Sequence, residues 1–103
     1  ISFDKTVHDF GTFSEKNAVQ NCTFTFKNTG NAPLVILQAI ASCGCTVPSY
    51  TEKPIAPGST GSIRITYNGK GYHPGHFKKI ITVNTNAKQR LVRLCIQGIM
   101  TEE

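Results

Sequence analysis

The feature that most constrains this chain is a period-two alternation of apolar and polar residues, cut at short intervals by turn-forming clusters. From Val19 to Lys27, Cys22, Phe24 and Phe26 fall on one face and Thr23, Thr25 and Lys27 on the other, as a half-buried strand requires. Gly61 to Asn68 repeats the pattern with Ile63, Ile65 and Tyr67 inward. Arg90 to Met100 repeats it with Val92, Leu94 and Ile96 on one face and Arg93, Cys95 and Gln97 on the other. Ile1–Phe13 reads as an edge strand broken at Gly11, and His76–Asn84 as a β-branched strand. Pro33–Ala41 is apolar on both faces, which predicts a central strand covered on both sides. A short strand is expected between Thr51 and Ile55. Asn28-Thr29-Gly30-Asn31, Ala56-Pro57-Gly58-Ser59 and Asn84-Thr85-Asn86-Ala87 supply the turns. Helical periodicity is missing throughout. About seven strands at roughly 8–12 residue spacing predict an all-β fold, an immunoglobulin-like antiparallel β-sandwich.

The 103 residues, 1–103, amount to a single domain, large enough to bury roughly two thirds of the surface of the unfolded chain. Nothing approaches the run of about 18 apolar residues needed for a membrane-spanning helix. A first residue of Ile1 rather than Met suggests an excised domain or a processed product. The net charge of +5 comes from basic residues scattered singly, with only Lys78 and Lys79 adjacent. Aromatic residues occupy strand-core positions instead of alternating with basic ones, which argues against a nucleic-acid partner.

Chemistry concentrates at Ser42-Cys43-Gly44-Cys45-Thr46, directly after the apolar Pro33–Ala41 stretch. Residues two apart on an extended backbone project to the same side, so Cys43 and Cys45 would leave the sheet together, with Gly44 relaxing the chain between them. In an immunoglobulin-like topology the strand ending here neighbours His76–Asn84, so the pair would share a pole with His73-Pro74-Gly75-His76. Pro74-Gly75 suits the centre of a type II turn, bringing residues 73 and 76 to within ~7 Å. Cys43, Cys45, His73 and His76 would then form a tetrahedral set for zinc; copper(I) would prefer the two sulfurs. A Cys43–Cys45 disulfide with a thiol-exchange role is a second reading, since such a bond closes a small, easily reduced ring. A third needs no chemistry: two small buried residues turning a strand end. Cys22 and Cys95 point to opposite faces by parity and are expected to be free thiols.

Other chemistry is excluded. Adjacent His8 and Asp9 face opposite ways, the chain has no Gly-x-Ser-x-Gly, and its six acidic residues include no paired-carboxylate constellation. Asp9-Phe10-Gly11 lacks every other kinase element. Asn21-Cys22-Thr23 fits a glycosylation sequon but lies within a strand.

In order, the chain carries His8-Asp9-Phe10-Gly11, Phe24-Thr25-Phe26-Lys27-Asn28-Thr29-Gly30, Pro33-Leu34-Val35-Ile36, Ser42-Cys43-Gly44-Cys45-Thr46, Ile55-Ala56-Pro57-Gly58 and Leu94-Cys95-Ile96-Gln97-Gly98. Together these resemble the bacterial family catalogued as DUF1573, over nearly the whole chain. That resemblance implies a sandwich of the ASPM–SPD-2–Hydin, major-sperm-protein and pilus-chaperone type. It further implies an exported protein, periplasmic, extracellular or lipoprotein-anchored. It carries the Cys43-Gly44-Cys45-Thr46 pattern but neither His73 nor His76. The expected function is a non-enzymatic binding or structural module of the bacterial cell envelope, without a cofactor, whose partner is an unidentified protein or envelope component. The alternative is copper, zinc or redox chemistry at Cys43 and Cys45. The candidate docking edges are Ile1–Phe13 and Arg90–Met100, with Lys78 and Arg93 outward to meet an anionic partner.

Overall fold

The computed structural model describes residues 1–88 and 90–102. Its strands are β1 (Ser2–Phe3), β2 (Val7–Ser14), β3 (Val19–Lys27), β4 (Ile36–Ala41), β5 (Thr46–Tyr50), β6 (Thr60–Asn68), β7 (Gly75–Thr85) and β8 (Leu91–Thr101). A 3-10 turn at Glu15–Asn17 is the one helical element among the described residues. Ser14 caps it, its side chain accepting from the Lys16 amide. The strands form two four-stranded sheets, ordered β1-β3-β6-β5 and β2-β8-β7-β4. This is the expected sandwich.

The alternation read from the sequence sets the core. Phe24 pairs with Ile63 and Cys22 with Ile65 in one sheet; Ile81 pairs with Leu94 and Val83 with Val92 in the other. These residues meet in a single buried cluster. Each large apolar side chain so buried contributes about 1.5–3 kcal/mol, which makes this cluster the main source of stability. Under the long β7–β8 ribbon the core continues as an aromatic group. Tyr67 stacks on Phe77 with centroids 4.1 Å apart, and Phe13 meets Phe77 edge-on at 5.8 Å.

Four expectations change in the three-dimensional arrangement. The Ile1–Phe13 strand breaks at residues 4–6 rather than at Gly11, which lies inside β2, and its two pieces belong to different sheets: β1 pairs with β3, and β2 crosses over to pair parallel with β8. That crossing makes β8 an interior strand, flanked by β2 and β7, so Arg90–Met100 is not an edge. Conversely, Pro33–Ala41 is not a covered central strand. It yields β4, an edge, because the chain leaves its sheet after Ala41 and no later strand returns to flank it. Leu37 and Ile40 remain 55% and 53% exposed. The strand expected at Thr51–Ile55 instead occupies Thr46–Tyr50, paired with β6, while Ile55 makes an isolated bridge to Leu34. Pro48 is tolerated within β5 because that strand is also an edge.

Lys78 and Arg93 are exposed on neighbouring strands as expected, but they stand at separate levels, opposite Gln97 and Thr82 respectively. Gly11 takes a φ of 71° where the β2–β8 register shifts between Asp9 and Thr12. Only glycine adopts that conformation without strain.

Candidate functional site

The Cys-Gly-Cys segment is the corner at which the chain passes from β4, at the edge of one sheet, to β5, at the edge of the other. Ser42 holds the departing side. Its N–H donates to the Ile80 carbonyl at 2.9 Å, and its Oγ accepts from the Ile80 N–H at 3.2 Å. The entering side is held by the Asn68 N–H donating to the Cys45 carbonyl at 2.7 Å. Between them the Thr46 N–H closes a turn onto the Cys43 carbonyl at 3.3 Å. The Ser42 and Thr46 amides and the Cys45 carbonyl therefore find partners without help from sulfur, whereas the Cys45 N–H is met by the Cys43 Sγ.

Cys43 and Cys45 are nevertheless joined by a disulfide, with Cα atoms 5.3 Å apart. The two sulfurs differ in environment. Cys45 is 4% exposed and belongs to the core cluster, whereas Cys43 is half-buried at its margin. Each has its own donor. The Cys45 N–H points at the Cys43 Sγ at 3.2 Å. The Thr46 Oγ1 lies 3.6 Å from the Cys45 Sγ, and since a disulfide sulfur has no proton, the hydroxyl is the donor.

Cross-linking residues two apart in sequence removes little freedom from the unfolded chain. On chain-entropy grounds it contributes about 1.5 kcal/mol, against about 3 for a loop of about 15 residues. Stability is therefore a poor explanation for a covalent bond here. Gly44 is equally unforced: its φ is not positive, and a Cβ placed on it would meet nothing within 4 Å. Neither backbone strain nor crowding demands a glycine at this point.

The two histidines do not join the sulfurs. Ala41 pairs with Ile81, so β4 ends beside the middle of β7, and β7 runs on through Lys79, Lys78, Phe77 and His76 to Gly75 with only β8 alongside. His76 pairs with Ile99, well along that overhang, and His73 lies in the preceding loop. The expected four-residue metal set is accordingly not assembled: among the described residues no group of three or more His, Cys, Asp or Glu is gathered closely enough to hold a metal ion. The cause is strand length, six residues in β4 against eleven in β7. The disulfide also leaves neither sulfur as a thiolate ligand.

Cys22 and Cys95 are free, as expected from their opposite faces, and both are buried, Cys95 included although it shares the face of Arg93 and Gln97. Burial pushes the Cys22 thiol up to about 11, the nearby Lys5 ammonium only partly opposing it, so it stays protonated and unreactive. Sequence reasoning placed Ser42 and Thr46 in the motif but gave neither hydroxyl its hydrogen-bonding part at the corner. The available signal was a pair of hydroxyl residues flanking the two cysteines where a strand ends.

The four sheet edges are protected unequally. β1 has two residues; β2 is interrupted at Gly11 and carries His8 and Asp9; β5 contains Pro48. Each of these is a familiar way of discouraging a further strand. β4 has neither charge nor proline. Its irregularity falls at its start, between Ile36 and Gln38, and Gln38–Ala41 run regularly beyond it.

Solved structures with this architecture come from several sources. A protein of unknown function from Porphyromonas gingivalis W83 superposes with a TM-score of 0.81 at 17% identity, over 95% of this chain and 46% of its own. This chain thus spans less than half of that relative's length. The ASH/PapD-like domain 7 of human CEP192 gives 0.72 at 12% identity, over 99% of this chain and 85% of its own. The Pseudomonas aeruginosa CupB2 chaperone gives 0.67 at 13% identity, over 93% and 53%. At such identities the likeness concerns the fold alone. No curated protein sequence matches the chain. The family described as protein of unknown function (DUF1573) matches residues 1–100, and the chain belongs to it.

Proposed function

We propose that this chain is a non-enzymatic interaction module of the bacterial cell envelope that accepts an extended segment of a partner protein along β4. The observation that carries this reading is the edge itself. β4 is a charge-free, proline-free outer strand with Leu37 and Ile40 exposed, in a fold whose other three edges are all blunted. An unprotected edge offers a row of unpaired backbone donors and acceptors to a guest strand, and its exposed apolar side chains add contact area beside it. The CupB2 chaperone shares the scaffold, which supports a protein partner without naming one. An exported, oxidising compartment is supported by the Cys43–Cys45 disulfide, a bond that persists mainly outside the cytosol. This role calls for no cofactor.

Selection of displayed random peptides on the immobilised chain tests the reading. The peptides recovered are expected to alternate apolar residues and to lose binding at least about tenfold to the L37K/I40K double variant, since edge lysines repel added strands. Both side chains are exposed, so the variant keeps its fold. Peptides that bind it unchanged, or turnover of a substrate by the isolated chain, would overturn the proposal.

A further inference from the structure

Beyond any strand-docking role, we infer that the Cys43–Cys45 disulfide is a thiol–disulfide exchange site, with Cys43 the sulfur that receives an incoming thiol. Four features of the corner point the same way. The turn is held independently of the S–S bond by the hydrogen bonds of Ser42, the Thr46 amide and the Cys45 carbonyl. Its two sulfurs are unequally accessible, Cys43 at the surface margin and Cys45 in the core. Each sulfur faces a hydrogen-bond donor that would stabilise it as a thiolate, the Cys45 N–H for Cys43 and the Thr46 hydroxyl for Cys45. Finally, Gly44 leaves open space between the two where the fold would admit a side chain. Ser42 and Gly44 are both exposed, so a thiol can approach from solvent.

The chemistry balances with thiols as the co-reactant. A thiolate attacks the Cys43 Sγ, the S–S bond breaks, and its electron pair leaves on the Cys45 Sγ, stabilised by the Thr46 hydroxyl until it takes a proton. The product is a mixed disulfide on Cys43. A second thiolate, most efficiently from the same substrate, attacks the substrate sulfur of that mixed disulfide. Cys43 leaves as a thiolate held by the Cys45 N–H. Two electrons and two protons have then passed to the pair, and two substrate thiols have become one disulfide. The substrate class is a dithiol on an extended, accessible segment. The same steps in reverse let the reduced pair open a substrate disulfide. Cys22 and Cys95 take no part, being buried, and Cys22 is held protonated besides.

The test uses the folded chain in buffers of reduced and oxidised glutathione, quenched with an alkylating reagent and read by mass spectrometry. Cys43 and Cys45 are expected to open together in one two-electron transition, with Cys22 and Cys95 unlabelled until denaturant is added. Cys45→Ser should acquire glutathione on Cys43 at least roughly tenfold faster than Cys43→Ser acquires it on Cys45, because thiol reactivity follows access and thiolate character. Gly44→Val should slow opening several-fold while leaving the thermal unfolding midpoint of the oxidised chain unchanged. Free Cys43 and Cys45 thiols in the aerobic native protein, resistance of the pair to glutathione, or faster modification at Cys45 would each overturn the assignment. So would a Gly44→Val chain that reacts at the parental rate.

Discussion

The chain crosses between its two sheets twice along sheet edges, and the two crossings are held alike except for one bond. In the first, between β1 and β2, Asp4 does the work. Its N–H donates to the Thr25 carbonyl at 2.9 Å, and its Oδ1 accepts from the Thr25 N–H at 3.1 Å and the Lys5 N–H at 2.8 Å. Thr6 then ties the chain to the next sheet, its carbonyl accepting from the Cys95 N–H at 2.8 Å. In the second, Ser42 plays the part of Asp4 toward Ile80, and the Cys45 carbonyl plays that of Thr6 toward Asn68. The anchoring is alike at the two corners, although the Lys5 N–H is met by the Asp4 carboxylate and the Cys45 N–H by the Cys43 Sγ. The first achieves it with no covalent link, so the Cys43–Cys45 disulfide answers to something other than the geometry of crossing.

The largest expected effect comes from unseating the strand that the first crossing delivers. Gly98 on β8 packs so closely that an added Cβ would lie 3.1 Å from both the Gly11 carbonyl of β2 and the Phe77 ring. Backbone cannot retreat as a side chain can, so Gly98→Val should cost about 3 kcal/mol, the upper part of the range for overpacking. Urea unfolding measures that loss. The glutathione equilibrium of Cys43 and Cys45 should stay as in the parent, because the second corner is anchored to β6 and β7 rather than β2. A shift in both would mean that the corners are coupled.

A matched pair of variants compares the crossings directly. Asp4→Ala removes an acceptor for two amides and should cost about 2 kcal/mol. Cys43→Ser combined with Cys45→Ser removes a cross-link of minimal loop length and should cost about 1.5 kcal/mol or less. A loss of about 4 kcal/mol or more in the double serine variant, as long-loop disulfides give, would return the bond to a purely structural role.

How far the residues alone reveal this arrangement follows from the range over which each feature is determined. The inward positions of β3, β6, β7 and β8 are legible because alternation is local: Phe24, Phe26, Ile63, Ile65, Leu94 and Ile96 are all buried where parity puts them. The side-by-side placement of Cys43 and Cys45 is local as well. Edge status is not. The apolar run at Pro33–Ala41 suits a covered central strand and an open edge equally, and only the departure at Ser42 decides between them. Nothing near Arg90–Met100 signals that β2 will arrive to cover it, since that pairing joins opposite ends of the chain. The four-residue metal set failed for a related reason. Gly75 and His76 already belong to β7 instead of the expected Pro74-Gly75 turn, and the reach from either histidine to the sulfurs depends on how far β7 outruns β4.

The smallest expected effect separates the corners by what each responds to. Lys5 and His8 flank the first crossing, with the Lys5 Nζ 2.8 Å from the His8 Nδ1, and His8 sits half-buried against Phe10. Burial first, and the Lys5 ammonium second, lower the affinity of this ring for a proton, the Asp9 carboxylate opposing them. The folded chain therefore binds the proton less tightly than the unfolded chain, whose imidazole titrates near 6.5. The contribution of His8 is complete above that pH and declines below it, levelling off once both states are protonated. The decline should be small, because the ring is half-buried at the surface rather than in the core and its partners are screened by solvent. Urea midpoints between about pH 7.5 and 5 should show it, reduced in Lys5→Met and abolished in His8→Gln. The disulfide has no proton to exchange, so the second crossing should be indifferent to the same pH change and yield only to a thiol. If His8→Gln kept the full acid-side loss, the pH-sensitive group would lie elsewhere and the assignment of separate triggers to the two corners would fail.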